Sequence, residues 1–335
     1  MTFKKLAVAD LGSNTFRLVA ADLSTNGELR ETRLLQRVVR LGQGLGLDGR
    51  LAPEALERAA SCLDEFGRAL KTVPVDSVTA AVTAAGRDLK GSGLVLDMAR
   101  EKLGARVFVP TGLQEAAYSF KGAVSLIGGE NGEAVLLDIG GGSTEIARGE
   151  GGVPGTSQSL KLGVVRLTEE ARPPDPVRGE DYGMMKTRAS LIFREADFFK
   201  RDLPDFAGGA RLLVNAGTPL TIAAMKTGLG PENTRALTGT PIGRADVEAT
   251  LSKLLYRTQD EILSVPGIVR GREDVILAGV AILDAFLELA GDPVALVTDG
   301  GMAEGLILAE AGKLLSCPVH YAGRAVPRHA RAKVP

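Results

Sequence analysis

Apolar positions along this chain recur with two periods, and the alternation between them runs through the sequence twice. In the first half, an apolar run at 6–9 meets an aspartate and a glycine-containing turn, and a second apolar stretch at 16–22 follows at once. That pattern predicts strand, tight turn, strand. Asn26-Gly27 turns the chain into a third strand near 28–39. Pro53 opens a helix in which Ala55, Leu56, Ala59, Leu63, Phe66 and Leu70 recur at helical spacing, with Cys62 among them as a core residue. A strand at 75–82, a helix at 91–103, a strand at 106–109 and a helix at 111–125 complete the half. Thr111 and Gln114 fit a capping box at the start of the last helix.

The second half repeats the plan. Strands are expected at 134–138, 144–148 and about 156–162. Pro173, Pro174 and Pro176 interrupt the chain before a long helix at about 179–201, whose Met184, Leu191 and Phe198 mark core. A strand at 212–215 runs into Ala216-Gly217-Thr218, and Pro219 opens a helix whose N-terminus could meet a phosphate. Helices are expected at 244–262 and 273–290, a strand at 294–297 followed by Asp299-Gly300-Gly301, and a helix from Met302 to about Lys313. Residues 317–335 carry several Arg, Lys and Pro and read as a surface tail or a short packing segment. The fold class is therefore α/β in two domains. Residues 1–126 form the first and 127–304 the second, with a loop at 128–132 between them. A segment at about 305–325 packs back on the first domain, and 319–335 is a tail.

The two turns are the densest chemistry in the sequence. In the second, Asp138-Ile139-Gly140-Gly141-Gly142-Ser143-Thr144-Glu145 places three consecutive glycines after a strand. Glycines let another group approach the backbone closely, and successive N–H groups form a nest for an anion. A plain glycine-rich hairpin is the competing reading. The first turn, Asp10-Leu11-Gly12-Ser13-Asn14-Thr15, aligns with it: Asp10 with Asp138, Gly12 with Gly140, Thr15 with Ser143 and Leu18 with Ile146. Two copies of one hairpin suggest two similar domains offering phosphate loops to a shared cleft.

Composition removes alternatives. The only histidines, His320 and His329, lie near the C-terminus, which leaves no Ser–His–Asp triad and no HExxH zinc site. Two cysteines, Cys62 and Cys317, make no disulfide framework or metal cluster. With a net charge of −1, a polyanionic partner must be held by a local patch rather than by the overall field. The chain runs straight into its first strand with no secretory signal, and no apolar stretch reaches the roughly 18 residues of a membrane span. A cytoplasmic protein without membrane or nucleic-acid partners is expected.

The paired loops resemble those of the actin-like ATPase superfamily. Within it, DLGSNTFRLV and LLDIGGGSTEI are similar to the exopolyphosphatase and guanosine pentaphosphate phosphohydrolase (Ppx/GppA) family. So are QRVVRLGQGL (Gln36 to Leu45), TGLQEA (Thr111 to Ala116), LGVVRLTE (Leu162 to Glu169), NAGT (Asn215 to Thr218) and TDGGMAEG (Thr298 to Gly305), in the family's order. The resemblance implies two actin-like (ribonuclease H-like) domains with a cleft between them. It implies removal of the terminal phosphate from inorganic polyphosphate or guanosine pentaphosphate, and a homodimer. Gly12, Ser13, Asn14, Thr15, Gly140, Gly141, Gly142, Ser143, Gly217 and Thr218 would bind phosphate. Asp138, Glu145 and Asp10 would hold Mg²⁺ directly or through water. Glu115 matches the family's general base. Read without the family, it is a favourable charge near a helix N-terminus. Arg87 matches a phosphate-binding arginine, although Gly86 stands where relatives often carry leucine.

Arg17, Arg37, Arg40, Lys161 and Arg166 could extend a basic track, with solvated salt bridges as the plainer reading. The resemblance covers two domains without the C-terminal helical extension of larger family members, and on the expectation that this extension is missing, short polyphosphate chains or guanosine pentaphosphate are the expected substrates. An ATP-dependent kinase or ATPase of the superfamily, needing an adenosine pocket around Gly217 and Gly300, is one alternative. A non-catalytic polyphosphate or alarmone sensor is another.

Overall fold

The structure, a computed structural model, describes residues 2–43, 50–73, 75–88, 90–128, 132–203, 206, 209–315 and 317–322. The Gly44-Leu45 end of one family-like stretch, most of the expected loop at 128–132, and tail residues 323–335 with His329 lie outside the described residues.

The first apolar run becomes β1 (Thr2–Leu11), and the glycine turn joins it to an antiparallel β2 (Thr15–Ser24) with Asp10 opposite Arg17. After β3 (Glu28–Val38) come α1 (Pro53–Thr72), β4 (Ser77–Val82), α2 (Ala84–Asp88), α3 (Ser92–Leu103), β5 (Arg106–Phe108) and α4 (Gly112–Ile127). The second half runs β6 (Glu133–Ile139), β7 (Thr144–Glu150), β8 (Val153–Leu160), α5 (Val164–Ala171), α6 (Gly179–Glu195), α7 (Asp197–Arg201), β9 (Arg211–Asn215) and α8 (Gly217–Thr227). It continues through β10 (Pro241–Ile242), α9 (Arg244–Leu254), α10 (Gln259–Leu263), α11 (Ile276–Leu289), β11 (Ala295–Val297), α12 (Met302–Gly312) and β12 (His320–Tyr321).

One sheet has the order β12-β3-β2-β1-β4-β5 and the other β10-β11-β9-β6-β7-β8. Without β12 and β10, the orders are the same: an antiparallel meander with parallel strands added beside its first strand. These are the two α/β domains of the actin-like architecture. The central strands β1 and β6 bury consecutive residues, because helices cover both faces of each sheet.

Several expected elements differ. The helix expected at 179–201 is two, because Ala196 takes an extended ψ of 135° between α6 and α7. The helix expected at 244–262 also breaks, where Leu255 turns extended and Tyr256 has φ +63°. Of the two readings of the C-terminal stretch, its described part takes the packing one: it forms β12, whose His320 and Tyr321 pair in parallel with Glu28 and Leu29. α5, which places a helix N-terminus behind the second glycine loop, was not among the expected elements, although Val164, Val165 and Leu167 fall on one buried face of its 8 residues.

The halves exchange their last helices. α4 leaves the first sheet and buries Ala116, Phe120, Ala123 and Val124 against Ala134, Leu136, Ala147 and Leu213 of the second. α12 does the reverse, packing Ala303, Leu306 and Ile307 on Leu6, Val8 and Val19. The two helices cross at glycines: a Cβ on Gly122 would lie 2.0 Å from the Gly301 oxygen, and one on Gly305 would lie 1.8 Å from the Tyr118 oxygen.

A buried ion network is the second joint. Arg17 of β2 donates to Asp299 Oδ1 at 2.9 Å, Asp299 Oδ2 at 3.0 Å and Glu304 Oε1 at 2.7 Å. Arg235 reaches the same Glu304 oxygen at 2.7 Å and also pairs with Glu31. Burial pushes the Glu304 carboxyl up, but Arg17 and Arg235 outweigh it and hold the group at about 2. Glu304→Gln leaves Arg17 with a lost partner in a dry site, so it should cost roughly 3–5 kcal/mol in urea unfolding at neutral pH. The folded value lies below the ordinary 4.5, so this contribution is present at neutral pH and fades as the pH falls from 4.5 toward 2. The gap between parent and variant should close over that window.

Candidate active site

The duplicated hairpins build the same turn twice. Gly12 N–H donates to the Thr15 oxygen at 3.1 Å, and Gly140 N–H to the Ser143 oxygen at 2.9 Å. The other carbonyls of each loop are tied back from outside. Val39 and Arg40 N–H both reach Asn14 O at 2.8 Å, and Gly42 N–H reaches Ser13 O at 2.8 Å. In the second half, Val164 and Val165 at the start of α5 donate to Gly140 O at 3.0 Å and Gly141 O at 2.9 Å, and Arg166 Nε to Gly142 O at 3.0 Å. Carbonyls satisfied behind the loops leave the N–H side for the cleft.

The loops face each other closely. A Cβ on Gly141 would lie 3.0 Å from Asn14 Cβ, and one on Gly142 would lie 3.1 Å from Ser13 Oγ. Between them is a cavity of about 140 Å³, small beside the roughly 300–1,000 Å³ of most small-molecule pockets. All the expected site residues except Arg87 line it. Thr218 lines it with its Oγ1 packed where a Cβ of Gly279 would stand. Gly217 lies under the Arg272 guanidinium, whose Nη1 is 0.8 Å from where a Cβ at 217 would be.

Arg87 stands behind the cavity, not in it. Its Nη1 donates to Glu115 Oε2 at 2.6 Å and to Pro110 O at 2.9 Å. Gly86 lets α2 approach: a Cβ there would already sit 3.1 Å from Val82 and 3.2 Å from Val109, so leucine has no room. The capping box forms as the sequence predicts, with Gln114 N–H donating to Thr111 Oγ1 at 3.2 Å and Thr111 N–H to Gln114 Oε1 at 2.9 Å. It starts α4 so that Glu115 faces the cavity, 8% exposed.

Of the two readings of the basic residues, the structure shows ion pairs in place of a track. Arg17 is spent on Asp299 and Glu304, Arg37 pairs with Glu65, Arg40 with Asp274, and Arg166 holds the second loop. Lys161 lies apart, with Arg87, Thr111 and Ser159, in a groove of about 350 Å³ beyond Ser143.

Charge is unbalanced inside. Six carboxylates line the cavity: Asp10, Glu115, Asp138, Glu145, Asp299 and Glu304. Arg17 and Arg235 neutralise the last two, and Arg87 pairs with Glu115. Asp10, Asp138 and Glu145 have no salt-bridge partner among the described residues. Burial and then the neighbouring Glu115 and Asp138 push Asp10 and Glu145 up. Burial raises Asp138, against the neighbouring Ser119 and Asn215 side chains. Asp10 Oδ1 and Asn14 Oδ1 are buried without a hydrogen-bond partner. Among the described residues, no three metal-ligating side chains converge as a ready cage. Magnesium seldom uses one; it keeps waters and takes one or two carboxylates together with substrate phosphates. Hard oxygen donors, an orphaned Asp10 oxygen and surplus negative charge fit such an ion.

Facing these carboxylates is a cation that the sequence reading missed. Arg272 is half-buried, has no carboxylate partner among the described residues, donates from its side chain to Thr15 Oγ1 at 3.3 Å, and leaves its buried Nε without a partner. Burial brings it down from 12.5 to about 10. Its one signal in the sequence is a charged stretch, 270–274, ahead of an apolar helix. Both values lie above neutral pH, so the penalty is fully present there, on the order of 3 kcal/mol. Arg272→Met should therefore raise the Tm of the ligand-free protein, and the Tm gain on adding tripolyphosphate and Mg²⁺ should shrink. Differential scanning fluorimetry measures both.

A model of the Ppx/GppA phosphatase family matches residues 24–314. The chain is 31% identical over 325 residues to "Exopolyphosphatase 2" of Mycobacterium tuberculosis, spanning 93% of this chain and 100% of that one. It is 30% identical over 309 residues to the guanosine-5'-triphosphate,3'-diphosphate pyrophosphatase of Aliivibrio fischeri, spanning 90% of this chain and 58% of that one. The crystal structure of an exopolyphosphatase from Cytophaga hutchinsonii superposes with a TM-score of 0.81 at 25% identity, covering 92% and 98% of the two chains. Among the described residues, no helix is long and apolar enough to cross a membrane.

Proposed function

Because the chain belongs to the Ppx/GppA phosphatase family, we propose that it is a phosphoanhydride hydrolase that releases the terminal phosphate of inorganic polyphosphate or guanosine pentaphosphate. The observation that carries this reading is the charge arrangement. Three carboxylates without a cation face one guanidinium without an anion, across two glycine loops that nearly touch. A phosphate chain with a divalent cation completes both sets.

The loops' N–H groups, with Ser13, Asn14 and Ser143, hold the terminal phosphoryl group. Arg272 takes oxygens of the next phosphate. Glu115 accepts a proton from a water as that water's oxygen bonds to phosphorus. The bridging P–O bond then breaks, and its electrons stay with the shortened chain, a weak base that needs no acid. Asp10, Asp138 and Glu145 are the residues that would hold Mg²⁺, which when bound neutralises developing phosphate charge. Arg87 anchors the Glu115 carboxylate on the side away from the loops. The ATPase alternative wanted adenosine near Gly217 and Gly300. Gly217 is covered by Arg272, Gly300 packs on Gly122 and Leu126, and no aromatic side chain lines the cavity, all of which weigh against a nucleoside seat there.

Glu115→Gln keeps the side chain's shape and removes the base. Phosphate release from tripolyphosphate should fall on the order of 10²–10⁴-fold with binding retained. Assays across polyphosphate, guanosine pentaphosphate and ATP test the substrate class, and faster release from ATP than from the other two would overturn it. With Arg17, Arg37 and Arg40 all ion-paired, little is left to neutralise a long chain. At matched concentrations of chain ends, kcat/KM should be higher for short polyphosphates than for long ones.

A further inference from the structure

The loop that carries Arg272 is pinned to the first half at three neighbouring points. Gly271, at φ +87°, lies so close to β3 that a Cβ would stand 2.9 Å from Val38 Cγ1. Arg272 itself reaches Thr15. Asp274 is ion-paired with Arg40, and Glu273 lies 3.9 Å from the same guanidinium.

Arg40 also faces the other way. Its backbone N–H, with that of Val39, donates to Asn14 O inside the first glycine loop. Its φ of +55° is in the left-handed region, which a residue with a Cβ keeps only where its surroundings require it. Arg58 supports that bend from behind, donating to the carbonyls of Val39 at 2.8 Å and Arg40 at 2.9 Å. One residue thus holds the first loop with its main chain and the Arg272 loop with its side chain. It does not line the cavity.

The need for such a residue follows from the charge on Arg272. A half-buried cation with a buried, unpartnered Nε and no carboxylate beside it is driven toward water, and the loop bearing it swings out unless something opposes the motion. The Arg40–Asp274 pair is placed to oppose it, about a fifth exposed on each side and so better shielded than a surface pair. Resting on the reading of the cavity as an oligophosphate site, we propose that Arg40 is a positioning residue: with Asp274 it sets the Arg272 guanidinium against the first glycine loop before the anion arrives. Losing the pair leaves the groups that touch phosphate unchanged, but lowers the fraction of molecules in which they face each other. Apparent affinity falls by that fraction.

The experiment is a cycle of variants assayed on tripolyphosphate with Mg²⁺. Arg40→Gln and Asp274→Asn should each raise KM on the order of tenfold with kcat little changed. Arg40→Gly relieves the backbone bend yet removes the side chain, and should raise KM as much as Arg40→Gln does. The exchanged pair Arg40→Asp with Asp274→Arg should bring KM back toward the parent, since aspartate tolerates the left-handed region better than most residues. In an Arg272→Met background, Arg40→Gln should add no further rise. An unchanged KM in the single variants, a rise that the exchange does not rescue, or a full additional rise without Arg272 would each overturn the proposal. If the parent releases no phosphate from any polyphosphate, the hydrolase reading fails alone. The same cycle is then scored on the calorimetric Kd for tripolyphosphate, where the same three outcomes apply.

Discussion

The Arg17 guanidinium, shared between Asp299 and Glu304, is the contact on which the cleft depends. It is buried, and a buried ion survives only when most of its hydrogen-bonding positions are filled. Gln36 Oε1 at 2.7 Å, both Asp299 carboxylate oxygens, the Asp299 carbonyl at 3.1 Å and Glu304 fill them here. The donors and acceptors come from both sheets, so the network defines how far apart the two glycine loops stand. The duplication makes its origin plain. Arg17 lies opposite Asp10 across the first hairpin, and Glu145 lies opposite Asp138 across the second. One ancestral position has become a structural cation in one half and a cavity carboxylate in the other.

That division decides the electrostatics of the cavity. Every charge used to join the halves is neutralised by a charge of the opposite sign, and those left over sort by side. The carboxylates Asp10, Asp138 and Glu145 cluster at the strand ends, while Arg272 enters from the loop before α11. Neither set is comfortable alone: burial raises the acids and lowers the base. The tension sits where a ligand can relieve it, which is common for binding sites and uncommon for cores.

Much of this was legible in the sequence, for reasons that differ by element. The paired hairpins, the meander and the parallel strands follow from alternation and turn residues. The glycine loops stood out because three adjacent glycines are a poor choice for a strand end without a use. Glu115 is singled out by the resemblance of its motif, while the capping box before it accounts for Gln114. Arg272 is not singled out, since a charged residue in a loop ahead of an apolar helix looks like any solvated arginine until burial is known. For Arg17, Arg37 and Arg40 the sequence points to salt bridges as readily as to a basic track but names no partner, because Asp299, Glu65 and Asp274 are 282, 28 and 234 residues away. One-dimensional spacing carries no record of such pairs. The breaks at Ala196 and Tyr256 were invisible for a related reason: neither residue type announces an extended or left-handed backbone.

The exchanged helices have a mechanical meaning. α4 is joined in sequence to the first sheet but packed on the second, and its first turn carries Glu115. At that end Gly112 lies against Ser159, where a Cβ would be 2.5 Å away, and Ser159 donates to Glu145 at 2.7 Å. Glu115, the triple-glycine loop and Glu145 are therefore held on the same half. Asp10 and the first loop belong to the other sheet, and Arg87 ties Glu115 back to that side at 2.6 Å. Each half thus brings carboxylates to the cleft that the other half's helix helps to seat, so neither sheet with its own covalently attached helix would make the cavity wall alone.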